Sequence, residues 1–146
     1  MLNSIAIRPV ETVSETVLKD ILEIEHACFS DPWTPAMFVV SEREKIITAE
    51  SKGKIVGFAC FQHFLDECHI LNVAVLPDFR KQGIGHQLIE WILTRTEAAG
   101  DFYLEVRAGN PPAISLYRNF GFQVIGKRKS YYRDGETALV MHKKNK

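Results

Sequence analysis

The decisive stretch reads Cys68-His69-Ile70-Leu71-Asn72-Val73-Ala74-Val75-Leu76, then Pro77-Asp78-Phe79-Arg80-Lys81-Gln82-Gly83-Ile84-Gly85-His86. Its first part is apolar at both odd and even positions, the pattern of a strand covered on both faces and so central in a sheet. Pro77 to Gln82 reads as a polar loop. From Ile84 the apolar residues Leu88, Ile89, Ile92 and Leu93 recur at helical spacing, which predicts an amphipathic helix ending at Gly100. Between strand and helix, Gly83 and Gly85 permit a tight turn whose backbone N–H groups can face one anion. The helix N-terminus adds partial positive charge and unpaired donors. Arg80, Lys81 and His86 are expected to add side-chain donors at the rim. A pyrophosphate is the natural guest of residues 80 to 86. A dinucleotide fingerprint would need Gly or Ala where Leu88 stands. A Walker-type loop would need Lys then Ser or Thr where His86 and Gln87 stand.

Working outward, Ile5 to Val10 reads as an opening strand. Thr12-Val13-Ser14-Glu15 has capping-box spacing, and Val17, Leu18, Ile21, Leu22, Ile24 and Cys28 recur as a helical stripe. Asp31-Pro32 breaks that helix, and Thr34-Pro35 predicts a second short one reaching about Ser41. Strands at Ile46–Glu50 and Ile55–Phe64 flank the hairpin turn Ser51-Lys52-Gly53-Lys54. Downstream, Phe102 to Arg107 alternates as a strand, and Asn110-Pro111 opens a helix closed by Gly121. Phe122–Lys127 and Thr137–His142 form a final hairpin around Arg133-Asp134-Gly135. The order β-α-α-β-β-β-α-β-α-β-β predicts a mixed α/β fold, with helices on both faces of a mixed sheet.

Composition narrows the class. The 146 residues are 46% apolar and 25% charged, as expected for one soluble domain spanning residues 1–146. Eighteen basic residues balance eighteen acidic ones, which argues against a global field for nucleic acid. The longest apolar run, Ile55 to Phe61, is too short to span a bilayer, and no N-terminal leader pattern is visible. Cys28, Cys60 and Cys68 form no disulfide framework and are expected as reduced thiols in a cytoplasmic protein. Cys60 and Cys68 could face each other across the hairpin. His63, Cys68 and His69 do not make a metal site, because strand neighbours point to opposite faces. Lys127-Arg128-Lys129 reads as a solvated edge or, alternatively, a contact for a ribosomal or RNA-adjacent surface. The tail Lys143-Lys144-Asn145-Lys146 is expected to fray.

The run Arg80-Lys81-Gln82-Gly83-Ile84-Gly85 resembles the [Q/R]-x-x-G-x-[G/A] loop of the GCN5-related N-acetyltransferases. Leu71 to Val75, Pro77-Asp78-Phe79, and Asn110, Ala113 to Tyr117 and Gly121-Phe122 resemble that family in the right order. Leu104-Glu105-Val106-Arg107, with Asp66-Glu67 and Tyr131-Tyr132, is similar to its RimI-type N-alpha-acetyltransferases. The resemblance implies a mostly antiparallel sheet and acetyl-CoA as co-substrate, with no metal. It also implies a protein N-terminus as acceptor, the family suggesting the N-terminal alanine of a small-subunit ribosomal protein. It implies that pantetheine pairs with the backbone of Val73-Ala74-Val75, which splays from the strand holding Leu104 to Arg107. The pyrophosphate would rest on the amides of Lys81, Gln82, Gly83, Ile84 and Gly85, and Asn110 would reach the pantetheine arm. The Val75 N–H would face the thioester oxygen where negative charge grows. Gly109 stands where many relatives carry Ser, and Pro111-Pro112 replaces less rigid residues, both on the acceptor side.

The reaction needs a neutral amine, a polarised thioester and a proton for the leaving thiolate. Alternation puts Glu105 on one strand face with Tyr103 and Arg107, where it could be only a surface carboxylate beside Arg107. The resemblance makes it the general base. Tyr117 is either a core aromatic or, as the resemblance implies, the acid that protonates the thiolate. Tyr131 and Tyr132 are either hairpin packing or the lining of a peptide groove. A lysine or small-molecule acceptor is an alternative, as is a non-catalytic acetyl-CoA-binding module.

Overall fold

The structure, a computed structural model, describes residues 4–96 and 98–145. Seven strands form one sheet: β1 (Ile5–Pro9), β2 (Glu44–Ser51), β3 (Lys54–Phe64), β4 (Glu67–Val75), β5 (Asp101–Arg107), β6 (Gln123–Arg128) and β7 (Ala138–Lys144). Their spatial order is β1-β2-β3-β4-β5-β7-β6. Every neighbouring pair is antiparallel except β4 and β5, which are parallel because helix α2 (Ile84–Arg95) crosses over between them. Helix α1 (Glu15–Cys28) follows β1, and helix α3 (Pro111–Asn119) connects β5 to β6. The doubly apolar strand is indeed the middle one, fourth of seven.

The side-chain alternation of β2 and β3 sorts the core onto two faces. Ile46, Phe58 and Cys60 pack with Ile21 and Ile24 of α1, while Ile47, Ala59 and Phe61 pack with Leu88, Ile89 and Ile92 of α2 and Tyr117 of α3. Cys60 and Cys68 therefore belong to opposite faces, so they do not oppose each other: Cys60 pairs with Asn72, and Cys68 with His63. Burial pushes the Cys68 thiol up to about 12 and raises Cys60 as well. Cys28 is only partly buried. In a native-state thiol titration at neutral pH we expect one fast-reacting cysteine, and all three after unfolding.

Four local expectations need correction. The cap of α1 is Ser14, whose hydroxyl accepts the Val17 N–H at 3.2 Å, not Thr12 two residues earlier. The second helix is a single 3-10 turn, Pro35–Met37, because the chain must turn at Phe38 to bury that ring against Phe58 at 5.7 Å. Helix α2 ends at Arg95 rather than Gly100, and just past its end the Thr96 hydroxyl donates to the Ile92 carbonyl at 2.6 Å; Glu97 lies outside the described residues. The tail is tied down through Asn145: β7 runs to Lys144, and the Asn145 N–H and amide bond Gly100 and Ala99 carbonyls at 2.9 and 2.7 Å. Lys146 lies outside the described residues.

The feature that positions the site is a split in the sheet. β4 and β5 pair only from Glu67↔Asp101 to Ile70↔Leu104. There the β3–β4 register jumps from Phe61↔Ile70 to Cys60↔Asn72, which leaves Leu71 as an extra residue on β4. A bulge bends its strand, so β4 leaves with β3 while β5 stays paired with β7 as far as Arg107↔Ala138.

Candidate active site

Beyond the split, the strand backbone offers unpaired polar groups. The Leu76 N–H bonds the Val56 carbonyl at 2.8 Å, and the register pairs Gly57 with Val75. By antiparallel alternation, Ala74 exchanges bonds with Phe58, while Val73 and Val75 direct N–H and C=O away from β3, into the split. The Val75 carbonyl is already used there, by Arg80 Nε at 3.1 Å and the Cys28 thiol at 3.3 Å. Ala74, expected to contribute its backbone to a ligand, instead pairs with β3 and buries its side chain, at 4% exposure.

The loop after β4 is shaped by residues in the left-handed region. Lys81 and Gly83 both have positive φ, 64° and 81°, which turns successive amides to one side. α1 and α3 are capped by the side chains of Ser14 and Asn110, but Gly83, which begins α2, has no side chain to cap it. A Cβ at Gly83 would stand in open space, and one at Gly85 would touch only Leu116 at 3.5 Å. Arg80 does not sit at the rim as expected. Its guanidinium turns back to Val75 and, at 3.2 Å, to Cys28 Sγ, bracing the end of β4. His86 packs its ring on Phe120, 4.6 Å between centroids.

A cavity of about 510 Å³ opens at the split, on the far side of Val73 from this loop. β5 supplies Glu105 and Arg107, α3 supplies Tyr117 and its N-cap Asn110, and the β6–β7 loop supplies Tyr131, Tyr132 and Arg133. The alternation of β5 is as expected, with Phe102, Leu104 and Val106 buried and the odd positions half-buried. Glu105 does not pair with Arg107. It forms an ion pair with Arg128 and accepts the Tyr131 hydroxyl, a bond that raises the Tyr131 phenol. Arg128 is exposed on the edge strand, as expected of a solvated basic edge, and its guanidinium reaches in to Glu105.

Arg107 holds the loop that carries the tyrosines. It bonds Asp134 at 3.0 Å and Glu136 at 2.8 Å and lies 4.0 Å from the centre of the Tyr132 ring. The other Glu136 oxygen accepts the Gly109 N–H at 2.8 Å. A Cβ at Gly109 would come within 2.5 Å of that oxygen, which is the local reason for glycine where the resemblance leads one to expect Ser. Burial pushes Tyr132 up to about 12. Tyr131 and Tyr132 meet edge to face at 5.2 Å, so they pack together and line the cavity at once.

Tyr117 is 7% exposed and packs edge-on against Phe122 at 6.0 Å. Burial raises its phenol well above the ordinary range. Asn110 Oδ1 accepts the Ala113 N–H at 3.3 Å, so the side chain caps α3 while lining the cavity.

The first half of the chain supplies the remaining wall, which sequence reasoning did not identify. Glu25, Asp31 and Trp33 face Asn72 and Val73 of β4. Asp31 reaches across to Arg133 at 3.3 Å. The signal for Glu25 was present: Ile21, Ile24, Glu25 and Cys28 occupy successive positions of one helical stripe, so a carboxylate sits where an apolar side chain is expected. Among the described residues, no group of three His, Cys, Asp or Glu side chains could hold a metal ion. None of the described helices is long and apolar enough to cross a membrane.

A parallel pair of strands that part midway, with an uncapped glycine loop beyond one and a carboxylate and a phenol beside the other, defines an acyl-CoA-dependent acyltransferase. The chain belongs to the acetyltransferase (GNAT) family, whose model matches residues 18–122. Among its relatives is the [ribosomal protein bS18]-alanine N-acetyltransferase of Escherichia coli K12, 34% identical over 90% of this chain and 94% of the relative. The crystal structure of the Escherichia coli ribosomal-protein-S18-alanine N-acetyltransferase superposes with a TM-score of 0.88, covering 97% of this chain and 94% of the other. The N-alpha-acetyltransferase RimI of Mycobacterium tuberculosis is 36% identical over 83% of this chain and 82% of its own length. Arabidopsis thaliana NAA60, crystallised with acetyl-CoA, shares the fold at a TM-score of 0.83 and 19% identity, covering 95% of this chain and 97% of its own.

Proposed function

We propose that this chain transfers the acetyl group of acetyl-CoA to the α-amine of a protein N-terminus, in the cytoplasm. The acceptor we favour is the N-terminal alanine of the small-subunit ribosomal protein bS18. The observation that carries the chemistry is that Glu105 and Tyr117, on different elements, line one cavity at the open end of the split. The named acceptor rests on likeness to relatives whose names specify it. Acetyl-CoA supplies an activated thioester acetyl group. The amides of Lys81 to Gly85 would hold its pyrophosphate, with Lys81 and His86 beside them and Gln82 and Ile84 forming the turn. Val73 and Val75 would pair with the pantetheine arm and Asn110 would reach it from α3. The Val75 N–H would donate to the oxygen that gains charge.

Glu105 is the general base for the amine, directly or through one water. A free α-amine has a pKa near 8, against about 10.4 for lysine, so a carboxylate suffices for the first and serves the second poorly. Tyr117 holds the proton that the departing sulfur needs. Burial keeps the phenol protonated at neutral pH, and the same apolar wall disfavours a bare thiolate beside it. Tyr131 and Tyr132 form the lip over which the acceptor peptide lies. The test is acetyl transfer to peptides that differ only at the first residue, with N-terminally blocked, lysine-containing controls. Alanine-initiated peptides are expected to react and blocked ones to remain unmodified. Equal reaction of the blocked peptides overturns the α-amine assignment and favours a lysine acceptor.

Gly83→Val tests the loop. A valine at φ 81° is strained by about 1–3 kcal/mol, which the loop relieves only by re-aiming its amides. By calorimetric titration, the Kd for acetyl-CoA should rise about ten-fold or more, and Lys81→Ala should do less because backbone amides do most of the holding. Unchanged affinity in a folded Gly83→Val chain removes the loop assignment.

A further inference from the structure

We infer that the buried carboxylate of Glu25 is the seat of the acceptor's charged α-ammonium group when the peptide docks. The inference deepens the acceptor reading above and rests on it. Glu25 is 1% exposed, on the same stripe of α1 as Ile21 and Ile24. Its Oε2 accepts the Trp33 N–H at 2.9 Å, and its Oε1 accepts the Asn72 side-chain amide at 2.8 Å. Both oxygens act as acceptors, the bonding pattern of a carboxylate, and both donors are neutral. A buried carboxylate satisfied only by neutral donors gains most from a cation.

The other charges of the cavity sharpen the point. Among the described residues, five charged side chains line it: Glu25, Asp31, Glu105, Arg107 and Arg133. Asp31 pairs with Arg133, Glu105 with Arg128, and Arg107 with Asp134 and Glu136. Among the described residues, Glu25 alone of the five has no partner of opposite charge. Its position fits a ligand that enters from solvent. Asn72 is the immediate neighbour of Val73, whose backbone polar groups face the split, and Trp33 holds the opposite wall. An α-ammonium is compact, carries three donors and one positive charge, and complements one carboxylate wall. No bond is made or broken at this step. The ammonium docks on Glu25, and its proton leaves afterwards towards Glu105. The consequence is selectivity: an N-terminus blocked by an acyl group is neutral and gains nothing from Glu25.

The experiment compares two ligands, an alanine-initiated peptide and its des-amino counterpart with propionyl in place of alanyl. Binding is measured by calorimetry in the presence of CoA, where no transfer occurs. At pH 7 the wild-type chain should bind the amine peptide about ten-fold or more tightly than the des-amino peptide, a preference of about 1.4 kcal/mol. Glu25→Gln should bring the ratio near one while leaving des-amino and CoA affinities unchanged. That variant can keep its network, because Asn72 can rotate its amide to accept from the new side-chain NH2 while Trp33 still donates to the oxygen. A purely structural role would weaken both peptides equally.

A second measurement needs no variant. Between pH 7 and 9 the free amine loses its charge, with a pKa near 8. Tyr117, Tyr131 and Tyr132 stay neutral over this range because each phenol is raised. The wild-type preference for the amine peptide should therefore fall as pH rises. A preference that increases with pH, or one retained in Glu25→Gln, overturns the inference while leaving the acetylation reading intact. A chain that binds and acetylates no free peptide N-terminus removes both.

Discussion

Glu105→Gln is expected to slow acetyl transfer by about 10²–10⁴ at neutral pH, the range a positioned general base contributes. The substitution is well isolated. Glutamine keeps the length and planarity of glutamate, and its oxygen can still accept the Tyr131 hydroxyl, so the lip of the cavity should stay in place. What disappears is an acceptor for the amine's proton and the anionic partner of Arg128. The mechanism also fixes the direction of a pH effect. As pH rises through about 8, more of the peptide's α-amine is neutral before it binds, and the base has less to do. The ratio of wild-type to variant rates should therefore shrink from pH 7 to pH 9. Single-turnover measurements at saturating acetyl-CoA decide it, since they separate chemistry from product release. A variant with the full wild-type rate, or a rate deficit constant with pH, returns Glu105 to the status of a carboxylate that anchors Arg128 and Tyr131.

Tyr117→Phe is expected to lower kcat by about 10²-fold or more, with little change in melting temperature or acetyl-CoA affinity. The ring is a core group, packed edge-on with Phe122, and phenylalanine preserves that contact. The hydroxyl, in contrast, borders the cavity and takes no part in holding α3, which is capped by Asn110. The leaving sulfur resembles a thiol of pKa about 8.5 in water. A buried phenol raised above its ordinary value is not a strong acid, so transfer must accompany C–S cleavage, when charge on sulfur in the same apolar wall is costly. Near-native kcat in a chemistry-limited assay would show that the ring alone is needed and that another group or water protonates the thiolate.

Much of this protein is decided by short-range pattern. Runs of period two and of 3.6 place all seven strands and three helices, because each needs only to know which of its faces is apolar. Double-sided apolarity puts β4 in the middle. The glycines of residues 80–86 mark a tight turn between β4 and α2, because glycine adopts positive φ without steric cost. The alternation of β5 is enough to aim Glu105 away from the core, and the helical offset from Asn110 puts Tyr117 on the inner side of α3.

Only the tertiary structure decides the rest, since it depends on partners distant in the chain. Glu25 meets Asn72 across 47 residues of sequence, and local reading sees just a charge misplaced on an apolar stripe. Glu105 finds Arg128 and Tyr131, not its strand neighbour Arg107, because the loop joining β6 to β7 brings Asp134 and Glu136 to Arg107. The split itself comes from one extra residue, Leu71, whose register against β3 no periodicity on β4 alone could reveal. Periodicity tells a segment which side to bury. Hydrogen-bond register and charge pairing are settled between segments, and in this chain those choices shape the cavity.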